Sequence, residues 1–143
     1  MSSTPFRLLL PLHLHNALLE HARTENPYEC CGLLAGSIDQ VSGLRTAAKH
    51  YPLVNDLASP TAYLSEPRSI LAAFKDIDRQ GLEHVAIYHS HPTSPAVPSP
   101  TDLAQNFYGD EMIHIIVTLR TDPPTLRAWR LFETRYEAVE ICT

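Results

Sequence analysis

Apolar positions along the chain follow two rhythms, one helical and one extended. Residues 6–10, FRLLL, form a short apolar run that predicts a strand, and Leu14, Leu18, Leu19 and Ala22 then recur at helical spacing through about residue 24. That helix should end before Pro27, because the residue preceding a proline is pushed out of the helical region. The apolar stretch CCGLLAGS and the β-like VSGLRTAAKHYPLVN predict two strands joined as a hairpin across Asp39 and Gln40. Residues 52–66, rich in Pro, Ser, Asn and Asp, read as loop. Ile70, Leu71, Phe74 and Ile77 give one apolar face to a helix from about Pro67 to Gln80, with Gly81 as its stop.

The second half continues with a strand, EHVAIYHSH, a proline-rich loop, and a short helix over PTDLAQNFYG. A buried strand, MIHIIVTL, follows, and TLRAWRLFE with RYEAVEI predicts a closing pair across a turn. Helices alternating with strands predict one α/β domain over residues 1–143, a mixed β-sheet flanked by helices, without repeats or an internal linker.

Composition narrows the function classes. A chain of 143 residues can bury a core without disulfide or metal staples, and 44% apolar with 19% charged residues fits an ordered globular protein. The net charge is −5 and the eleven Lys and Arg are scattered, which argues against nucleic acid or an anionic membrane as partner and leaves room for a cation. Cys30, Cys31 and Cys142 include no CxxC, so neither a disulfide framework nor a zinc ribbon is indicated, and a reducing cytoplasm is the simplest location. Pro11, His13 and His15 interrupt the N-terminal apolar run, which does not read as a signal peptide, and no stretch approaches the ~18 apolar residues of a membrane span.

Candidate chemistry concentrates in HVAIYHSHPTSPAVPSPTD, residues 84–102. On a strand, positions i and i+2 share a face, so His89 and His91 can address one object while Ser90 points away. Two imidazoles make half of a tetrahedral site, catalytic zinc commonly takes a carboxylate as third protein ligand, and Asp102 is the nearest acid downstream. Between them PTSPAVP contains no glycine and three prolines, with Pro100 adding a fourth, so few conformations need freezing to hold Asp102 near the histidines. SPTD also reads as a helix start, with Ser99 as N-cap, Pro100 at N1 and Asp102 at N3 of a near capping box. On that reading capping and metal binding compete for Asp102, and Ser99 serves the cap in one state and chemistry in another.

The spacing HxHxxxxxxxSxxD, spelled His89, His91, Ser99 and Asp102, resembles the signature of the JAMM (MPN+) zinc metalloproteases. Upstream, NPYECCGLLAG resembles the segment carrying that family's catalytic glutamate. The resemblance covers about residues 8–132 and is weak over 37–66. It implies a cytidine-deaminase-like fold, with Zn2+ bound by His89, His91 and Asp102, Glu29 as general acid/base, and Ser99 steadying the oxyanion of the tetrahedral intermediate. The implied activity is hydrolysis of the bond after the Gly-Gly tail of a ubiquitin-like or sulfur-carrier protein, in the compact prokaryotic form of the family. The loop VNDLASPTAYLSEP is the candidate wall of the groove for that tail. The HxE and PCxxC pattern of zinc deaminases is absent. A noncatalytic MPN scaffold and a metal-binding module are the alternative functions, and Glu29 would be dispensable in the latter.

Other chemistry-bearing residues read as structural. His13 and His15 also form HxH, but at the start of a helical pattern, where i and i+2 diverge. His114 belongs to a strand packing layer, and His21, His50 and His84 carry no partner signal. Alternation turns one of Cys30 and Cys31 inward and the other outward, with a small buried hydrophobe as the commoner role for cysteine.

Overall fold

The computed structural model describes residues 6–143. Its elements are β1 (Arg7–Leu9), α1 (Leu12–Glu25), β2 (Cys31–Ile38), β3 (Leu44–Leu53), α2 (Pro67–Arg79), β4 (Glu83–His91), α3 (Pro100–Ala104), β5 (Ile113–Thr118), β6 (Thr125–Leu131) and β7 (Tyr136–Cys142). Each predicted element is present in the expected order. The helix read over residues 100–109 is shorter, ending at Ala104 with Gln105 as its C-cap.

The sheet runs β1, β3, β2, β4, β5, β6, β7 and closes on itself, because β1 pairs in parallel with both β3 and β7. The pair β4 and β5 is also parallel, and the remaining pairs are antiparallel. The α/β class and the mixed sheet match the expectation, and the closure of the sheet is a feature that the sequence reading did not include. Closure joins the chain's first strand to its last and removes two sheet edges that would otherwise be exposed.

Both faces of β2 and β4 are covered. Leu14, Leu18, Leu19 and Ala22 of α1 pack with Cys30, Leu34, Tyr88, Ile115 and Val117 on one face. On the other, Cys31, Leu33 and Ile87 pack against Ala73 and Ile77 of α2. Both adjacent cysteines are therefore buried, which corrects the expectation that one points outward. The buried stripe of α2 is Ala73 and Ile77 with Ile70 beside it, while Leu71 and Phe74, assigned to that face from spacing, are exposed.

Two glycines of the PYECCGLLAG segment are required by close approach. A Cβ on Gly36 would lie 1.8 Å from the Thr46 carbonyl oxygen, and one on Gly32 would lie 2.3 Å from the Tyr88 ring. These contacts seat β2 between β3 and β4, the strand that presents His89 and His91.

Candidate metal centre

Strand alternation performs as expected at the end of β4. Ser90 turns to the α1 side and its Oγ accepts from the Cys30 amide at 2.8 Å, while His89 and His91 share the other face. Their Nε2 atoms stand 3.2 Å apart, and Asp102 completes a triangle, with Oδ1 3.1 Å from His89 Nε2 and Oδ2 3.1 Å from His91 Nε2. All three side chains are nearly excluded from solvent.

The dimensions of this triangle fit one metal ion. Nitrogen and oxygen ligands at zinc distances in a tetrahedral arrangement lie about 3.3 Å from each other. His91 Nδ1 donates to the Pro95 carbonyl at 2.8 Å, so the proton the ring would give up to a metal is the one on Nε2, which bonds Asp102 Oδ2 at 3.1 Å in this structure. His89 is held by a different contact, the Tyr63 ring stacked on it at 4.8 Å between centroids and 25° between planes. Among the described residues, this is the one group of three or more His, Cys, Asp and Glu side chains arranged to hold a metal.

The proline loop sets the position of Asp102 through more than stiffness. Besides His91, Thr118 Oγ1 donates to Ser94 O at 2.6 Å and Trp129 Nε1 donates to Ala96 O at 2.9 Å. Ala96 then packs with Ile116, Trp129 and Leu131. At the start of α3 the Asp102 amide donates to Ser99 Oγ at 3.1 Å and the Ser99 amide donates to Asp102 Oδ2 at 2.8 Å, a complete capping box.

The cap and the two histidine contacts coexist on Asp102 in this structure. Asp102 presents both oxygens to the histidines while Oδ2 also accepts from Ser99. Ser99 uses a lone pair in the cap, and a hydroxyl has two lone pairs and one hydrogen, so its hydrogen is left for a second acceptor. Burial raises the cost of the Asp102 charge, but hydrogen bonds from His89 and His91 outweigh it and hold the carboxyl well below the usual range. For His91 the order is the same: burial disfavours its charge and the Asp102 hydrogen bond more than restores it, raising its pKa.

Glu29 lies in the extended segment just before β2, buried to 4% exposure, so it is neither within a strand nor a solvated acid. Its Oε1 has no hydrogen-bond partner. Burial pushes its pKa up to about 8, with His91 opposing and Asp102 adding to the rise. A buried carboxyl with a free oxygen in the field of the His91 and Asp102 pair has the character of a proton acceptor near neutral pH. Its main chain is fixed on both sides by the loop after β3, the Glu29 amide donating to Ser59 O at 2.8 Å and Asn55 Nδ2 donating to Glu29 O at 2.9 Å.

Beside the triangle lies a cavity of about 450 Å³, walled by Leu57, Tyr63, Leu64, Ile87, Phe107 and Tyr108 and reaching His89 and Asp102. The loop after β3 supplies one wall of this cavity through Leu57, Tyr63, Leu64 and Ser65. His114, buried on β5 as expected of a strand packing position, also lines it with Nε2 unpartnered. The thiols of Cys30 and Cys31 are pushed up by burial to about 12 and about 11, which removes them as nucleophiles. His13 and His15 sit on the first turn of α1, outside the triangle.

Comparison with known proteins shows the family and the fold. Residues 11–132 match the family described as prokaryotic homologs of the JAB domain. A probable TtuB-protein conjugate cleaving protease of Thermus thermophilus is 43% identical over 67% of this chain and 64% of that protein, so the matched part spans just under two thirds of that relative. A CysO-cysteine peptidase of Mycobacterium tuberculosis is 32% identical over 91% of this chain and 86% of its own length. Among solved structures, a Desulfitobacterium hafniense protein superposes with a TM-score of 0.85 at 31% identity, covering 94% of this chain and 91% of that one. A JAB1/MPN domain protein of Archaeoglobus fulgidus, at 21% identity, shares the fold with a TM-score of 0.57 over 96% and 100% of the two chains. By the extent of these matches the chain belongs to the prokaryotic JAB-domain family.

Proposed function

We propose that the protein is a zinc-dependent peptidase or isopeptidase that hydrolyses the bond after the C-terminal tail of a ubiquitin-like or sulfur-carrier protein. The observation that carries the reading is the coincidence of a zinc-sized His89, His91 and Asp102 triangle with a buried, unpartnered Glu29 carboxylate. The names of the relatives support the substrate class, since one is named a probable TtuB-protein conjugate cleaving protease and another a CysO-cysteine peptidase.

His89 Nε2, His91 Nε2 and an Asp102 oxygen would hold Zn2+, which supplies Lewis acidity, making water a stronger acid and polarising a carbonyl. Glu29 takes a proton at its free Oε1 as water attacks the scissile carbonyl and passes it to the leaving amine. The Ser99 hydroxyl, with its hydrogen left free by the cap, donates to the carbonyl oxygen as negative charge builds there. Pro95 keeps the proton of His91 on Nδ1, away from the centre. The cavity beside the triangle receives the tail, because glycine lets a backbone approach a narrow site without a side chain to clash.

The element order supports assigning the fold to the cytidine-deaminase-like class, and the free thiols of Cys30, Cys31 and Cys142 support a reducing cytoplasm. Among the described residues no helix is long and apolar enough to cross a membrane. A noncatalytic scaffold or a simple metal-binding module has no use for a buried, unpaired Glu29. Chelation followed by Zn2+ reloading tests the proposal on a linear fusion of a Gly-Gly-ended ubiquitin-like protein to a reporter. Cleavage should disappear and return, whereas undiminished cleavage by the metal-free protein contradicts it.

A further inference from the structure

The segment after β3 is a compact loop with its ends tied together. The Glu66 amide donates to Val54 O and the Asp56 amide to Leu64 O, both at 2.8 Å, and Asn55 bridges to Ser65. Such loops are held by their own side chains and are frequently functional. This one carries Leu57, Tyr63 and Leu64 into the cavity wall and places the Tyr63 ring on His89.

One side chain organises the loop. Asn55 Oδ1 accepts from the Leu57 amide at 3.0 Å and the Leu64 amide at 2.9 Å. Its Nδ2 donates to Ala62 O at 3.2 Å and to Glu29 O at 2.9 Å. Three of these bonds stay within the loop and the fourth leaves it, ending on the main chain of Glu29, whose buried carboxyl lies in the field of His91 and Asp102. With the Glu29 amide bonded to Ser59 O, both backbone groups of Glu29 are fixed by this loop. The bonds that shape the cavity wall and the bond that positions Glu29 thus share one amide.

We infer that Asn55 is a positioning residue that holds Glu29 and the cavity-lining loop as one unit, so that the proton acceptor keeps its place relative to the substrate groove. The catalytic part of this assignment rests on the peptidase reading, whereas the structural part stands apart from it. Aspartate at position 55 keeps acceptors for Leu57 and Leu64 but turns an oxygen towards the carbonyls of Glu29 and Ala62. Alanine removes all four bonds.

The test compares Asn55→Asp and Asn55→Ala in the zinc-loaded full chain, by amide hydrogen exchange, zinc content and cleavage of the Gly-Gly fusion. In Asn55→Asp the Glu29 amide should exchange at least about tenfold faster while Leu57 and Leu64 stay protected and zinc stays bound. Its kcat should fall about 10- to 100-fold with KM within a fewfold of the wild type, since misplacing a reacting group costs rate before binding. In Asn55→Ala, Leu57 and Leu64 should lose protection too, and KM should rise as the wall loosens. Unchanged Glu29 exchange or wild-type kcat in Asn55→Asp overturns the assignment, and so does unfolding of both variants, because the residue would then serve the fold as a whole. If the wild type cleaves nothing while the exchange pattern appears, the peptidase reading fails and the structural assignment of Asn55 is supported by itself.

Discussion

Ser99 and Asp102 bond each other in both directions, each amide donating to the other's side chain, at 2.8 and 3.1 Å. The pair starts α3 and also delivers a carboxylate to His89 and His91, and the proposed mechanism gives the Ser99 hydroxyl a second task as donor. Substitutions can separate these tasks. Alanine at an N-cap costs ~1 kcal/mol and glycine only a few tenths. Ser99→Ala should therefore lower the melting temperature by about 3 to 5 °C and Ser99→Gly by much less. Both lose the donor equally, so both should lose about 100- to 1000-fold in kcat. A rate loss that follows the melting temperature would assign Ser99 to the cap alone.

Asp102→Asn keeps an acceptor for the Ser99 amide but removes the charge between the two imidazoles. The helix start should survive, seen as an unchanged amide exchange rate at Leu103, whose N–H donates to Ser99 O. Zinc affinity should fall by more than the ~10- to 100-fold typical of losing an outer partner of a metal ligand. Competition with a chelator measures it, and wild-type affinity would remove Asp102 from the ligand set.

The raised Glu29 pKa has a sign that can be checked in the metal-free protein. An acid whose pKa rises on folding keeps its proton longer when folded, so its contribution is complete below the ordinary value of 4.5 and is lost as pH rises to about 8. Glu29→Gln abolishes that loss. The difference in unfolding free energy from urea titration between the Glu29→Gln protein and the wild type should grow in favour of the substituted protein between about pH 4.5 and 8 and be flat above it, on the order of a few kcal/mol at ~1.4 kcal/mol per pH unit. A difference independent of pH would mean that Glu29 titrates normally.

Gly36 tests the close approach of β2 and β3. An added methyl has the Thr46 carbonyl oxygen 1.8 Å away, and backbone cannot swing aside as a side chain can. Gly36→Ala should destabilise by ~1–3 kcal/mol or more in urea denaturation. A cost below ~0.5 kcal/mol would show that the strands separate freely there.

Most of this architecture is legible in the sequence because local signals agree with the final packing. The HxH strand ending, the proline loop and the SPTD helix start each follow from short-range stereochemistry, and β4 and α3 carry them as read. Closure of the sheet is not legible, since the pairing of Leu8 with Arg45 and Ile141 joins residues far apart in sequence. Leu71 and Phe74 are misassigned by spacing because periodicity gives the width of an apolar stripe, while Ala73 and Ile77 show where its neighbours lie. Asn55 is hidden in a polar stretch that reads only as loop. Its signal is an Asn just beyond a strand end, where its side chain can bond the main chain two residues on, as it does at Leu57. At Ser99 the structure shows the cap alone, which uses an oxygen lone pair and leaves the hydroxyl hydrogen available for the proposed donor role.

The central claim is that the triangle binds the metal and Glu29 moves the proton. Glu29→Gln, isolated with zinc and assayed on the Gly-Gly fusion, tests it most directly. Zinc bound per chain should equal that of the wild type while cleavage falls about 100- to 10,000-fold. Full zinc content with unchanged cleavage would contradict the account.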